Sequence, residues 1–422
     1  MITVIFNHLT TSAISTINGS TSTTVDYAKS GSDFYKKWLA GAQWYMNLQK
    51  NDELWVGKTP KLADYGVLYY TDDETIPAYI EYKIMCGKSD CGSVVVNIDG
   101  NDVLVPEWAT HGRANFEVLA SQIASKKSHL YRFGLLDQYI VDSETDAIGT
   151  INTDKKDFKK SDFLGLKEKV RQYKRSDAFR QQKESLSSPQ LLQLSGNIST
   201  LSTTPTNVYI PGQSTANCPS RTPCYAQYTD TYYWSTCYLG CSPNALAIVY
   251  GYYDRQGTFP NLISGLVATD ISYTWSINGT WFARNSAIQT MSNAIRTQMS
   301  TSCVSGQGWT NKDNIKYGIQ YAKNQWYTNS TSSNLNTTPN VILQAVKTEV
   351  NASRPIILSS TSHSFVAYGY SSDTTSYMVR VNYGLTVNQD TSYFGRDVSL
   401  SSASLPAVGG AFEGYTLIRI AQ

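Results

Sequence analysis

Cys241 lies in the stretch YLGCSPNALAIVYGYYDRQG, residues 238–257, where an apolar run with helical spacing begins. Pro243 has no backbone N–H to lose in a first turn and brings a preset φ. Ala245, Leu246, Val249 and Tyr252 then give the apolar stripe of a helix over 242–254. A thiol at such a start faces unpaired backbone N–H groups and the positive end of the helix dipole, and both favour the nucleophilic thiolate. By residue type alone, a buried and inert cysteine competes with that reading.

Histidine is scarce: His8, His111, His129 and His363 are the four in the chain. His363, in SSTSHSFVAYGY, is the one in the C-terminal half and opens an apolar strand, although a structural histidine would fit there too. Asn382, in VRVNYG, is predicted to end the following strand. If the two strands pair, Asn382 can reach and orient the imidazole, completing a Cys–His–Asn set for nucleophilic catalysis.

Taken together and in order, GCSPNALAIVYGYYDRQG, HSFVAYGY and VNYG resemble the motifs of papain-like cysteine peptidases of the streptopain-like and C39-like bacterial groups, over roughly residues 225–390. The resemblance implies an α+β, papain-like fold in which a central helix packs on an antiparallel sheet. It implies Cys241 as nucleophile, His363 as base and acid, Asn382 as orienting residue and Gln227 as an oxyanion donor beside the Cys241 N–H. Two departures stand out. Ser362 occupies the place of a usual glycine, and YGLTVNQD replaces a Trp-rich stretch, leaving Tyr383 to shield the pair from water. The texture of residues 1–180, with IPAYIEYKI, DVLVPEWATHG and YRFGLLDQYIV, resembles the pro-domains of streptopain-like precursors. That implies a smaller α+β domain acting as an intramolecular inhibitor, with a permanent accessory domain as the alternative.

The elements that must hold these residues can be read from pattern. DFYKKWLAGAQWYMNLQ and SDFLGLKEKVRQYKRSDAFRQQKES read as helices, and PAYIEYKIM and GSVVVNIDG alternate as strands do. Residues 184–216 are poor in charge and rich in Ser, Thr and Pro, as linkers are. The expected organisation is an N-terminal domain over 1–183, a linker over 184–216 and a peptidase domain over 217–422. In the last sixty residues PIILSS, SFVAYGY, YMVRVNYG and YTLIRIA read as strands.

Seven cysteines leave at least one outside disulfides. Spacing suggests Cys86–Cys91 around GKSD and Cys218–Cys224 around PSRTP, with Cys237–Cys303 as a long-range pair and Cys241 left over. A zinc site built from Cys218, Cys224, Cys237 and Cys241 is the competing reading, although their spacings are not those of zinc ribbons. No G-x-S-x-G motif occurs, which argues against a serine hydrolase.

The formal charge of +2 gives no reason to expect a nucleic-acid partner. Charged residues are 16%, below the roughly 25% of ordinary soluble domains. Ser, Thr, Asn and 30 Tyr take their place, and with six N-x-[ST] sequons this points to a secreted or cell-surface protein. No stretch has the roughly 18 apolar residues of a membrane span, and the start, MITVIFNHLTTSAIS, lacks the basic region of a complete signal peptide. The expected partner is a protein or peptide substrate, with no cofactor or metal. The rival function is a cell-surface structural or adhesive protein that keeps an inactive or weakly active peptidase fold.

Overall fold

The structure, a computed structural model, describes residues 10–14, 23–123, 127–151, 158–177, 179–180, 207–214, 218–226, 229–232, 235–263, 286–360, 362–371, 377–385, 390–401 and 412–422. The chain divides into two compact units, Met1–Pro205 with Ser401–Ala411 and Thr206–Leu400 with Phe412–Gln422. Both mix helices with antiparallel sheet, which makes the chain α+β.

In the first unit a six-stranded meander runs β1 (Thr10–Ile14), β2 (Thr23–Lys29), β3 (Pro60–Tyr69), β4 (Tyr79–Cys86), β5 (Ser89–Asn97) and β6 (Glu107–Ala109), each strand antiparallel to the next. Helix α1 (Asp33–Leu48) follows β2 and is capped by Ser32, whose hydroxyl accepts from the Tyr35 N–H at 3.2 Å. Helix α2 (Asn115–Ala120) leads to a second sheet, β7 (Ser128–Arg132), β8 (Gln138–Asp142) and β9 (Ile148–Thr150). Helix α3 (Lys160–Lys174) covers that sheet, with Phe163 and Val170 in one cluster with Tyr131, Phe133 and Tyr139. The helix predicted to run on past Lys174 is interrupted at Ser176. Its hydroxyl accepts from the Phe179 N–H at 3.2 Å and starts a new turn.

The second unit is built on α4 (Cys241–Arg255), buried on every side from Ser242 to Asp254. The sequence shows one apolar stripe, yet packing comes from all directions. Helix α5 (Ser286–Gln298) and a 3-10 segment (Lys312–Ile319), continued by α6 (Gln320–Asn324), lie against it. Gly318 permits this approach, since a Cβ there would stand 2.3 Å from Leu246 and 2.6 Å from Met299. Leu246, Ile248 and Val249 are fully buried, each stabilising by about 1.5–3 kcal/mol. The helix tyrosines keep their hydroxyls bonded: Tyr250 donates to Gly318 O, Tyr252 to Ser353 O and Tyr253 to Ile418 O, each at 2.9 Å.

The sheet of this unit has the order β19-β18-β17-β16-β20-β15, all antiparallel: β15 (Thr331–Asn336), β16 (Ile356–Ser360), β17 (Ser364–Ser371), β18 (Met378–Asn382), β19 (Arg396–Ser399) and β20 (Phe412–Arg419). The four strands legible near the C-terminus are β16, β17, β18 and β20. Helix α7 (Pro339–Asn351) packs against β17 and β20. A bidentate ion pair, Arg380 to Asp397 at 2.7 and 2.6 Å, ties β18 to β19 in the buried sheet.

Residues 207–209, inside the stretch expected to be linker, form β10 (Asn207–Tyr209), paired with the far end of β17. Gly369 makes room for it, because a Cβ there would meet the Tyr209 ring at 2.2 Å. Arg221 and Arg380 lie over that ring at 4.8 and 5.2 Å. Most of the remaining linker lies outside the described residues.

Candidate active site

Cys241 is the first residue of α4, and Gly240 before it has φ of 102°. A Cβ on Gly240 would stand 2.8 Å from the carbonyl oxygen of Gly308, so both the φ and the close approach require glycine. Gly308 belongs to a hairpin of β13 (Ser302–Val304) and β14 (Gln307–Trp309). The Tyr238 N–H donates to Gly306 O at 2.9 Å, binding this hairpin to β12 (Ser235–Tyr238), which pairs with β11 (Thr229–Tyr232).

Cys237 and Cys303 are disulfide-bonded and fasten β12 to β13, with Cα atoms 6.0 Å apart. Cys86–Cys91 closes the β4–β5 hairpin and Cys218–Cys224 a loop before β11, both with Cα atoms 5.6 Å apart. These are the pairs that spacing suggests, and Cys241 is the cysteine outside them, half-buried. Three of the four sulfurs of the competing zinc reading are therefore disulfide sulfurs. Among the described residues no group of three or more His, Cys, Asp or Glu could hold a metal ion.

His363 ends the tight connection between β16 and β17. The Ser360 N–H donates to His363 O at 2.8 Å, and the Ser360 hydroxyl accepts from the His363 N–H at 3.1 Å. The imidazole is 4% exposed and stacks on Phe365, with centroids 6.0 Å apart and planes at 18°. Its Nε2 is 2.9 Å from the backbone carbonyl oxygen of Tyr383. A carbonyl only accepts, so Nε2 carries the proton in this bond, and in the neutral ring Nδ1 is the basic nitrogen. Ser362, at the predicted glycine position, is exposed, and its N–H donates to the Ser360 hydroxyl at 3.4 Å.

The elements that carry Cys241 and His363 touch one residue further along. Ser242 Oγ and Ser364 Oγ are 2.9 Å apart, and both side chains are buried. Cys241 Sγ is 4.0 Å from the same Ser242 hydroxyl. Asn244, one turn into α4, donates to Gly384 O at 2.8 Å and to Tyr225 O at 3.0 Å, tying the helix to the segment after β18.

Strands β17 and β18 pair as predicted, with Val366 opposite Asn382. Asn382 is the last residue of β18, and Tyr383 follows it outside the strand. The Tyr383 ring lies 5.2 Å from Phe365 and 6.3 Å from the imidazole, and at 1% exposure it covers the histidine. Asn382 is fully buried, and its side-chain NH2 donates to Thr222 Oγ1 and Pro223 O, both at 2.9 Å, and reaches Ser220 Oγ at 3.4 Å. Its Oδ1 accepts from the Gly384 N–H at 2.8 Å. Among the described residues, then, the carboxamide bonds to the 220–223 loop and to Gly384, and the imidazole to the Tyr383 carbonyl. Gln227 lies outside the described residues.

Sequence reasoning missed the Tyr383 carbonyl, the Ser242–Ser364 contact and the hydroxyls of Ser220 and Thr222. A backbone carbonyl has no sequence signal, and serines are too common here to stand out.

No family model matches this chain, and neither does any curated protein. Among solved structures it is similar to a fragment of prointerpain A from Prevotella intermedia, at 10% identity and a TM-score of 0.37, over 81% of this chain and 98% of that one. A score of that size does not establish a common fold.

Proposed function

We propose that this chain is a cysteine peptidase whose second unit has a papain-like arrangement, with Cys241 as nucleophile and His363 as its proton acceptor. The observation that carries the proposal is the 2.9 Å contact between Ser242 and Ser364, which joins the residue after the thiol to the residue after the imidazole. The bond from His363 Nε2 to Tyr383 O supports it further, because it leaves Nδ1 as the base.

In this mechanism the Cys241 thiol proton moves to His363 Nδ1 and the thiolate sulfur attacks the carbonyl carbon of a peptide bond. The oxyanion that forms would be met by the Cys241 N–H at the helix start and by the Gln227 side chain. Collapse breaks the C–N bond, His363 returns its proton to the leaving amine, and a thioester remains. Water, deprotonated by the same nitrogen, hydrolyses the thioester and restores the thiol. Asn382 acts as the orienting residue, and the N-terminal region, 1–183, as an inhibitor within the precursor. We propose a secreted or cell-surface location, supported by the three disulfides and the polar, weakly charged composition. No helix among the described residues is long and apolar enough to cross a membrane.

The test is turnover of a fluorogenic peptide together with alkylation of the thiol near pH 6. Cys241→Ala should abolish turnover with little change in melting temperature, and His363→Ala should lower it by about a thousandfold or more. Undiminished hydrolysis by the Cys241→Ala chain would exclude the proposal.

A further inference from the structure

The carboxamide of Asn382 brackets one residue. On one side its NH2 is saturated by acceptors from the loop 218–224; on the other, its Oδ1 holds the Gly384 N–H. The residue between is Tyr383, whose own N–H donates to Tyr393 O at 2.9 Å and whose carbonyl holds His363 Nε2. The acceptors are themselves fixed. Ser220 Oγ and Thr222 Oγ1 are 2.6 Å apart, the Thr222 N–H donates to Ser220 Oγ at 3.1 Å, and the loop is closed by Cys218–Cys224. That disulfide packs on the fully buried Phe394.

We infer that the disulfide-closed loop 218–224 is a positioning element for His363, acting through Asn382 and the backbone of Tyr383. The inference deepens the peptidase reading and rests on it for the role of His363. A short closed loop has few conformations, so it presents its acceptors already arranged. With those acceptors displaced, the segment 382–384 gains freedom and the bond from Nε2 to the carbonyl lengthens. That bond strengthens when the ring is protonated, since the donor then carries charge. Its loss therefore disfavours the imidazolium that accompanies the Cys241 thiolate.

The experiment uses the full chain with Thr222→Val, which removes the hydroxyl at nearly constant shape, Thr222→Ser, which restores it, and the double variant Cys218→Ser/Cys224→Ser. Three readouts are taken: kcat and KM on a fluorogenic peptide, the rate of iodoacetamide alkylation of Cys241 from pH 5 to 9, and the melting temperature. Thr222→Val and the double variant should lower kcat about tenfold or more with KM within about twofold. Alkylation near pH 6 should slow by a similar factor and converge with the unmodified chain near pH 9, where the thiol ionises unaided. Thr222→Ser should recover most of both. Folded variants whose alkylation profiles superimpose on that of the unmodified chain would overturn the inference. A chain that hydrolyses no peptide would defeat the peptidase reading, and the alkylation profiles would still decide the role of the loop. If the double variant fails to fold, the two Thr222 variants decide alone.

Discussion

Ser242 Oγ and Ser364 Oγ lie 2.9 Å apart in a buried contact between the first turn of α4 and the first residue of β17. Each serine adjoins a residue of the proposed pair, so the contact fixes the helix start relative to the strand start. Removing one hydroxyl strands the other in the core, which costs about 1–3 kcal/mol, whereas removing both is far milder. Ser242→Ala and Ser364→Ala should each lower stability and turnover, and the double variant should be less affected than the sum. Denaturant unfolding in a double-mutant cycle should give a coupling of about 1 kcal/mol, and additive effects would show that the hydroxyls do not act on each other.

Gly240 carries a second prediction. With φ at 102° and the Gly308 carbonyl 2.8 Å from any Cβ, Gly240→Ala must displace either Cys241 or the β13–β14 hairpin. A loss of about 1–3 kcal/mol in stability is expected, with turnover falling by more than the unfolded fraction explains. Gly257→Ala is the control: its φ is 70°, but nothing lies near its Cβ position, so strain comes without displacement.

Acid should weaken the second unit through Glu349. Burial pushes this carboxyl up, but hydrogen bonds from Arg354 and Arg419, with their charges, more than offset that and hold it below the ordinary value of 4.5. A carboxyl lowered in the folded state stabilises above about pH 4.5, and that contribution is lost as pH falls through its folded value. Melting temperature should therefore drop between pH 5 and 3. Glu349→Gln should be less stable at pH 7, by about 1–2 kcal/mol because Arg419 is half exposed and screened, and its melting temperature should show a shallower acid drop. Parallel pH curves for the two chains would exclude Glu349 as the source.

The boundary of an active fragment follows from β10. A chain beginning at Thr206 keeps the strand on β17 and the Tyr209 ring beneath Arg380, whereas one beginning at Asn217 loses both. The first should fold and, if residues 1–183 inhibit, should hydrolyse a fluorogenic peptide faster than the full chain. The second should melt several degrees lower. Equal rates for the full chain and the Thr206 fragment would mean that the N-terminal region is not an inhibitor.

Much of the scaffold was legible because it repeats with a period. The apolar spacing from Ala245 to Tyr252 announces α4, and alternation announces β16, β17, β18 and β20. Short-range cysteine spacing also announces the two local disulfides. β10 was hidden because three residues cannot display a period and its flanks have the composition of a linker. The partner of His363 was hidden for a different reason: every residue has a carbonyl, and only the register that pairs Val366 with Asn382 brings Tyr383 to the imidazole. Asn382 is expected from the sequence to reach the imidazole itself, whereas among the described residues its bonds go to Gly384 and to a loop more than 150 residues earlier in the chain, 160 residues away in the case of Thr222, and no sequence pattern announces a partner that distant.

The position of β20 bears on the order in which the second unit can assemble. It lies between β16 and β15, pairing with Ile357–Ser360 on one side and Thr331–Asn336 on the other. During synthesis, β15 and β16 leave the ribosome well before their shared neighbour and have no pairing with each other to fall back on. Until residues 412–419 emerge, both present unsatisfied backbone edges that could recruit a second chain. The sheet beside His363 thus closes only after β15 to β19 are made, so a ribosome stalled ahead of this strand would hold an incomplete sheet beside a helix and thiol already made.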